Sequence, residues 1–140
     1  MAEALASKPK GCECYAVASR SLDKAIDFAK EHNIEKAYGS YEELVNDPQV
    51  DIIYVATPHS HHYAHTRLAV EHGKPCLVEK AFTANAREAR ELLAFAEQRG
   101  VFVTEAIWTR YMPMSRKIKE IMDSGAIGEP KVLTATLCYK

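Results

Sequence analysis

The chain has 140 residues, 47% of them hydrophobic, enough for one domain with a buried core. Its 18 basic and 19 acidic residues leave a formal net charge of -1, so neither nucleic acid nor an anionic membrane is an expected partner and a small molecule is. No stretch approaches the run of about 20 apolar residues that crosses a bilayer, and the first residues lack the apolar core of a secretory signal; a cytoplasmic location is expected. The cysteines agree with this. Cys76 and Cys138 fall in apolar segments, Cys12 and Cys14 lack the second pair that a zinc site needs, and all four read as reduced thiols with no metal.

In chain order, residues 1–7 read as the tail of an alanine-rich helix. A strand is expected over 14–18, then a helix capped by Ser21 with Leu22, Ala25, Ile26 and Ala29 on one face. A short helical segment near 41–46 is broken by Asp47-Pro48. The apolar run 51–56 reads as a strand that stops at Thr57-Pro58. The helix expected over 61–72 turns Ala64, Leu68 and Ala69 inward and ends at Gly73. A strand over 76–79 follows. The next helix begins at Asn85 with Glu88 as its capping-box partner, lines up Ala89, Leu92, Leu93 and Ala96, and ends at Gly100. A strand over 102–105, a helix over 114–124 burying Met114, Ile118, Ile121 and Met122, and a strand over 131–137 complete the series.

Strands alternating with amphipathic helices predict an α/β chain built on a doubly wound, Rossmann-like parallel sheet. The dinucleotide fingerprint G-x-G-x-x-G is nevertheless absent, with Gly11 standing alone near the start.

Ligands of such sheets sit at the carboxyl ends of the strands, which singles out three segments. Glu79 and Lys80 end one apolar run, and are either a solvated ion pair or a lysine delivered to a bound substrate. Ser19, Arg20 and Lys24 follow the first strand, where a hydroxyl and two cations suit the 2′-phosphate of NADP better than the ribose hydroxyls of NAD; the plainer reading is a solvated helix start. Thr57, Pro58 and His62 follow the strand over 51–56. His61 and His65 share a helix face at metal-ligand spacing, but no H-E-x-x-H and no acidic or thiol ligand lies nearby in sequence, so no metal is expected.

Taken together, residues 16–20, 37–44, Thr57-Pro58 with His62, Val78-Glu79-Lys80, and 105–111 with Pro113 occur in the order and spacing of the Gfo/Idh/MocA oxidoreductases. The chain resembles that family over essentially its whole length, and within it the branch of dihydrodiol and NADP-dependent D-xylose dehydrogenases. The block from Glu105 to Pro113 is its most distinctive part, since Trp108 and Arg110 have no simple packing rationale there.

The resemblance implies an NAD(P)-dependent dehydrogenase acting on CH–OH groups of sugars or trans-dihydrodiols, with NADP ranked above NAD. It implies Lys80 as the catalytic residue and Ser19, Arg20, Lys24, Thr57, Pro58, His62, Glu79, Lys80, Trp108 and Arg110 as the cofactor side. Ala81 departs from the family, which has proline after the lysine and so a stiffer turn.

By the same comparison the first strand and its glycine-rich loop are not represented. Residues 1–125 then form a partial NAD(P)-binding domain, and 126–140 begin a second domain for substrate and dimerisation. In the order 3-2-1-4-5-6 the missing strand is central, so a gap between two half-sheets is expected, with low stability or homo-oligomerisation through the open edge. The rival to the enzyme is an inactive chain that acts only by association. A methyltransferase-like Rossmann domain does not predict the Glu79-Lys80 and Trp108-x-Arg110 blocks together.

Overall fold

The computed structural model describes residues 11–136 and 138. The helical tail expected over 1–7 lies outside them. The chain divides into two compact units, Met1–Ala106 and Ile107–Lys140.

In the first unit the elements run β1 (Ala16–Ala18), α1 (Leu22–His32), β2 (Lys36–Tyr38), α2 (Tyr41–Asn46), β3 (Ile53–Val55), a 3-10 turn (His59–His61), α3 (His62–Glu71), β4 (Cys76–Val78), α4 (Ala86–Arg99) and β5 (Val103–Glu105). Every strand pair is parallel: Val17 lies opposite Ala37, Tyr54 opposite Leu77, and Leu77 opposite Thr104. The strands are shorter than the apolar runs suggest because only three residues of each complete the ladder, although single hydrogen bonds extend it. Glu79 N–H donates to Val55 O at 2.9 Å and Ala106 N–H to Val78 O at 2.7 Å.

The strands form two sheets, β1–β2 and β3–β4–β5 with β4 central. Among the described residues no strand joins them, which matches the gap expected between halves. No strand was expected at β2, whose Lys36-Ala37-Tyr38 lacks an apolar run; it is a strand because it pairs with β1.

Local capping explains the helix starts. Ser21 accepts from Lys24 N–H, Ser40 from Glu43 N–H, and Asn85 and Glu88 exchange two hydrogen bonds of 3.0 Å. Gly100 ends α4 at φ 65°, in the left-handed region where a side chain is strained. The core packs Val45, Val50, Ile53, Val55, Ala69, Cys76 and Val78 together. Fully burying an aliphatic side chain of this size is worth roughly 1.5–3 kcal/mol.

The buried face of α3 is His62, Thr66, Ala69 and Val70, so it is rotated from the expected one: Ala64 is exposed and Leu68 half-buried. The expectation followed apolar residues, whereas here two polar side chains point inward. Leu22 and Leu93 are likewise exposed at the margins of α1 and α4, while Ala25, Ala29, Leu92 and Ala96 are buried.

A polar knot ties β2 to the turn before β3. Asp47 accepts from Tyr38 Oη at 2.5 Å, Gln49 N–H at 2.8 Å and Lys36 Nζ at 3.2 Å, while Lys74 Nζ donates to the carbonyls of Asp47 and Val50, each at 2.7 Å.

The second unit holds α5 (Trp108–Tyr111) and α6 (Pro113–Asp123). Met114, Ile118, Ile121 and Met122 are not buried as expected, and α6 has no buried residue. The strand expected over 131–137 does not form across 131–136, because a strand requires a ladder partner and these residues have none among the described residues. Val132 and Leu133 are correspondingly exposed. Leu137 lies outside the described residues.

Candidate functional site

Lys80 leaves the carboxyl end of β4, the middle strand of its sheet, and its side chain is exposed. Residues around it are held from three directions. The Tyr54 hydroxyl on β3 donates to the Glu79 carboxylate, whose other oxygen accepts from Lys80 N–H at 3.1 Å. The Ala81 carbonyl meets His62 Nδ1 at 2.8 Å, and Phe82 N–H donates to Glu105 Oε1, at the end of β5, at 2.9 Å. The Lys80–Ala81 peptide bond is cis.

Glu79 therefore does not form the solvated ion pair with Lys80 that was one reading of the sequence. Its carboxyl is held below the usual range chiefly by the Tyr54 hydroxyl, with help from the Lys80 N–H. Burial, and then the Glu79 carboxylate that accepts its proton, raise the Tyr54 phenol. Among the described residues the Lys80 ammonium has no ion-pair partner.

The Thr57 loop is fixed to the same framework. His62 is fully buried at the start of α3, with Nε2 2.7 Å from the Thr57 carbonyl and Nδ1 on that of Ala81. Either neutral tautomer donates to one of these carbonyls, and only the protonated ring donates to both. The imidazole thus bridges the loops that follow β3 and β4.

His65 Nδ1 lies 3.0 Å from Thr57 Oγ1 and its ring packs 4.4 Å from that of Tyr41. Burial pushes the His65 imidazole down, as do the nearby His61 and Arg20 charges. Pro58 is exposed and opens the 3-10 turn through His61 N–H to Pro58 O at 2.8 Å. Among the described residues no group of three histidine, cysteine or acidic side chains gathers as a metal site.

Ser19, Arg20 and Lys24 stand at the carboxyl end of β1. Ser19 Oγ accepts from Ser21 N–H at 3.3 Å, which leaves its hydroxyl proton to donate elsewhere. Arg20 and Lys24 are exposed, and neither is in an ion pair among the described residues. A hydroxyl and two cations are a donor set suited to a phosphate dianion.

The structure therefore groups Thr57, His62, Glu79 and Lys80 and sets Ser19, Arg20 and Lys24 at another strand end. Trp108 and Arg110 lie on α5 of the second unit, both exposed. Tyr54, which helps hold the Lys80 loop, was not singled out from the sequence, and Glu105, which also holds it, entered only as the first residue of the 105–113 block, with no role. Their one signal was position, on or at the end of a strand adjoining β4.

A family model described as an oxidoreductase family with an NAD-binding Rossmann fold, Gfo/Idh/MocA, matches residues 1–107. The chain belongs to this family. It is 52% identical over 120 residues to D-xylose 1-dehydrogenase (NADP(+)) of Hypocrea jecorina, covering 83% of this chain and 31% of that protein. It is 46% identical over 120 residues to trans-1,2-dihydrobenzene-1,2-diol dehydrogenase of Macaca fascicularis, covering 86% of this chain and 36% of that one. Among solved structures, an NAD binding oxidoreductase from Klebsiella pneumoniae superposes with a TM-score of 0.79 at 36% identity, over 83% of this chain and 31% of its own. The chain thus spans about a third of the length of the curated relatives it matches.

Proposed function

We propose that the chain carries the cofactor half of an NADP-dependent dehydrogenase that oxidises a CH–OH group of a sugar or a trans-dihydrodiol. The observation that carries this reading is Lys80: an unpaired ammonium among the described residues, at the end of the central strand, on a loop whose neighbouring residues are pinned. Family membership and the NADP-dependent xylose dehydrogenase relative support it.

In this reading Ser19, Arg20 and Lys24 hold the adenosine 2′-phosphate, while Thr57, Pro58 and Glu79 line the nicotinamide side. His62 serves from beneath by fixing the loops. The bound nicotinamide supplies a hydride acceptor. Lys80 would donate a hydrogen bond to the substrate oxygen and stabilise negative charge there as the hydroxyl proton passes to water, while the carbinol carbon would give its hydride to that acceptor and become a carbonyl or lactone carbon. Glu79 turns its charge toward Tyr54 and the Lys80 backbone, leaving the ammonium available to that oxygen.

Residues 1–125 form the cofactor domain in this proposal, 126–140 begin the substrate domain, and the setting is cytoplasmic, consistent with four free thiols. The second reading is an inactive chain that self-associates, favoured by the split into two sheets whose edge strands have no further partner among the described residues. Titration of NADPH fluorescence separates them. Saturable binding in the micromolar range, lost in Lys80→Ala and Arg20→Ala together, supports the dehydrogenase. No binding, with a shift to higher mass on sizing, supports association alone.

A further inference from the structure

The Lys80 loop has a support outside the residues assigned above. Phe82 N–H, two residues beyond Lys80, donates to Glu105 Oε1 at 2.9 Å, and Glu105 lies opposite Val78 in the parallel register of β4 and β5. A carboxylate at the tip of one strand thus grips the backbone leaving the next strand. On the other side the Ala81 carbonyl meets buried His62, so consecutive backbone groups after Lys80 are held from opposite neighbours. Proline would stiffen the position after the lysine by its ring; alanine stands there, and the external grip does that work instead.

We propose that Glu105 is a positioning residue for Lys80, acting through Phe82 N–H to set the reach of the ammonium. The proposal rests on Lys80 being the site lysine. A hydrogen bond to a charged acceptor is stronger than a neutral one, and its loss frees a loop without dissolving the sheet, since the ladder bonds of Glu79 and Ala106 remain. Glutamine keeps a carbonyl oxygen in the same place, whereas alanine keeps none.

The test is NMR on the 140-residue chain with isotope-labelled, reductively methylated lysines, together with amide exchange. In Glu105→Ala, Phe82 N–H is expected to exchange about tenfold faster or more. The amides of β4 keep their protection, and the NADPH-induced shift of the Lys80 signal shrinks. Glu105→Gln is expected to restore both the Phe82 protection and the Lys80 response. Unchanged Phe82 exchange in Glu105→Ala, or a Lys80 response to NADPH that Glu105→Ala leaves intact, overturns the positioning role. A Lys80 signal that NADPH fails to move in the unsubstituted chain defeats the site-lysine reading, and the positioning role with it. The Phe82 exchange still reports separately whether Glu105 holds the loop.

Discussion

Replacing His62 with leucine removes the bridge between the loops that follow β3 and β4 while keeping a buried side chain of similar bulk. The Thr57 carbonyl, on a half-buried residue 2.7 Å from Nε2, loses its partner; an unsatisfied buried acceptor costs about 1–3 kcal/mol. Ala81 is exposed, so its carbonyl recovers water and adds less. Leucine gains some apolar burial in return, which keeps the net loss near 2 kcal/mol, or about a 30-fold fall in the folding equilibrium. Urea unfolding followed by circular dichroism measures it, with the exposed His59→Leu as a control expected to change stability by less than about 0.5 kcal/mol. Amide exchange should also quicken at Lys80 and Phe82. If His62→Leu unfolds at the same urea concentration as His59→Leu, the carbonyls do not depend on the imidazole and the bridge has no energetic content.

Three further outcomes are expected. In the folded chain the Asp47 carboxyl is lowered to about 2 by the Tyr38 hydroxyl first, then by Gln49 N–H and Lys36. The unfolded chain therefore takes up this proton first as acid is added. The stabilisation is fully present above the ordinary aspartate value and is lost as pH falls from about 4 toward 2; urea midpoints at pH 6 and pH 3 should differ, and differ less in Asp47→Asn. Thr66 is fully buried and its hydroxyl has no partner among the described residues, so Thr66→Val should raise stability by about 1 kcal/mol in the same assay; a loss would mean that the hydroxyl is bonded after all. Arg20→Ala should weaken NADPH binding by about 10- to 100-fold and leave NADH unaffected if, as proposed, Arg20 makes a charge-assisted contact to the 2′-phosphate. Equal weakening of both cofactors would place Arg20 away from the 2′-phosphate.

The fold was legible where local chemistry decides it. Serine and asparagine caps start α1 and α4, Gly100 stops α4, and Asp47-Pro48 follows α2, all as the sequence indicates. Elements that depend on distant partners were not legible. Lys36-Ala37-Tyr38 carries no strand pattern of its own and becomes β2 by pairing with β1, whereas residues 131–136 carry a strand pattern and remain irregular, with no ladder partner among the described residues. Pairing outranks propensity in both cases.

The site divides along the same line. Lys80 stood out because a charge directly after an apolar strand is conspicuous, and the strand-end rule says what such a charge faces. Of the groups that hold its loop, His62 was read only as a neighbour of the cofactor, and Tyr54 and Glu105 were given no role, because each reaches the loop across 19 to 25 residues of sequence: Tyr54 to Glu79, His62 to Ala81, Glu105 to Phe82. None is apolar, and periodicity turns Ala64 inward where the structure buries His62. Fully buried His62, at the start of α3, is thus a better pointer to what supports the Lys80 loop than any apolar pattern. It is buried against the usual cost of dehydration only because backbone groups of that loop complete its hydrogen bonds.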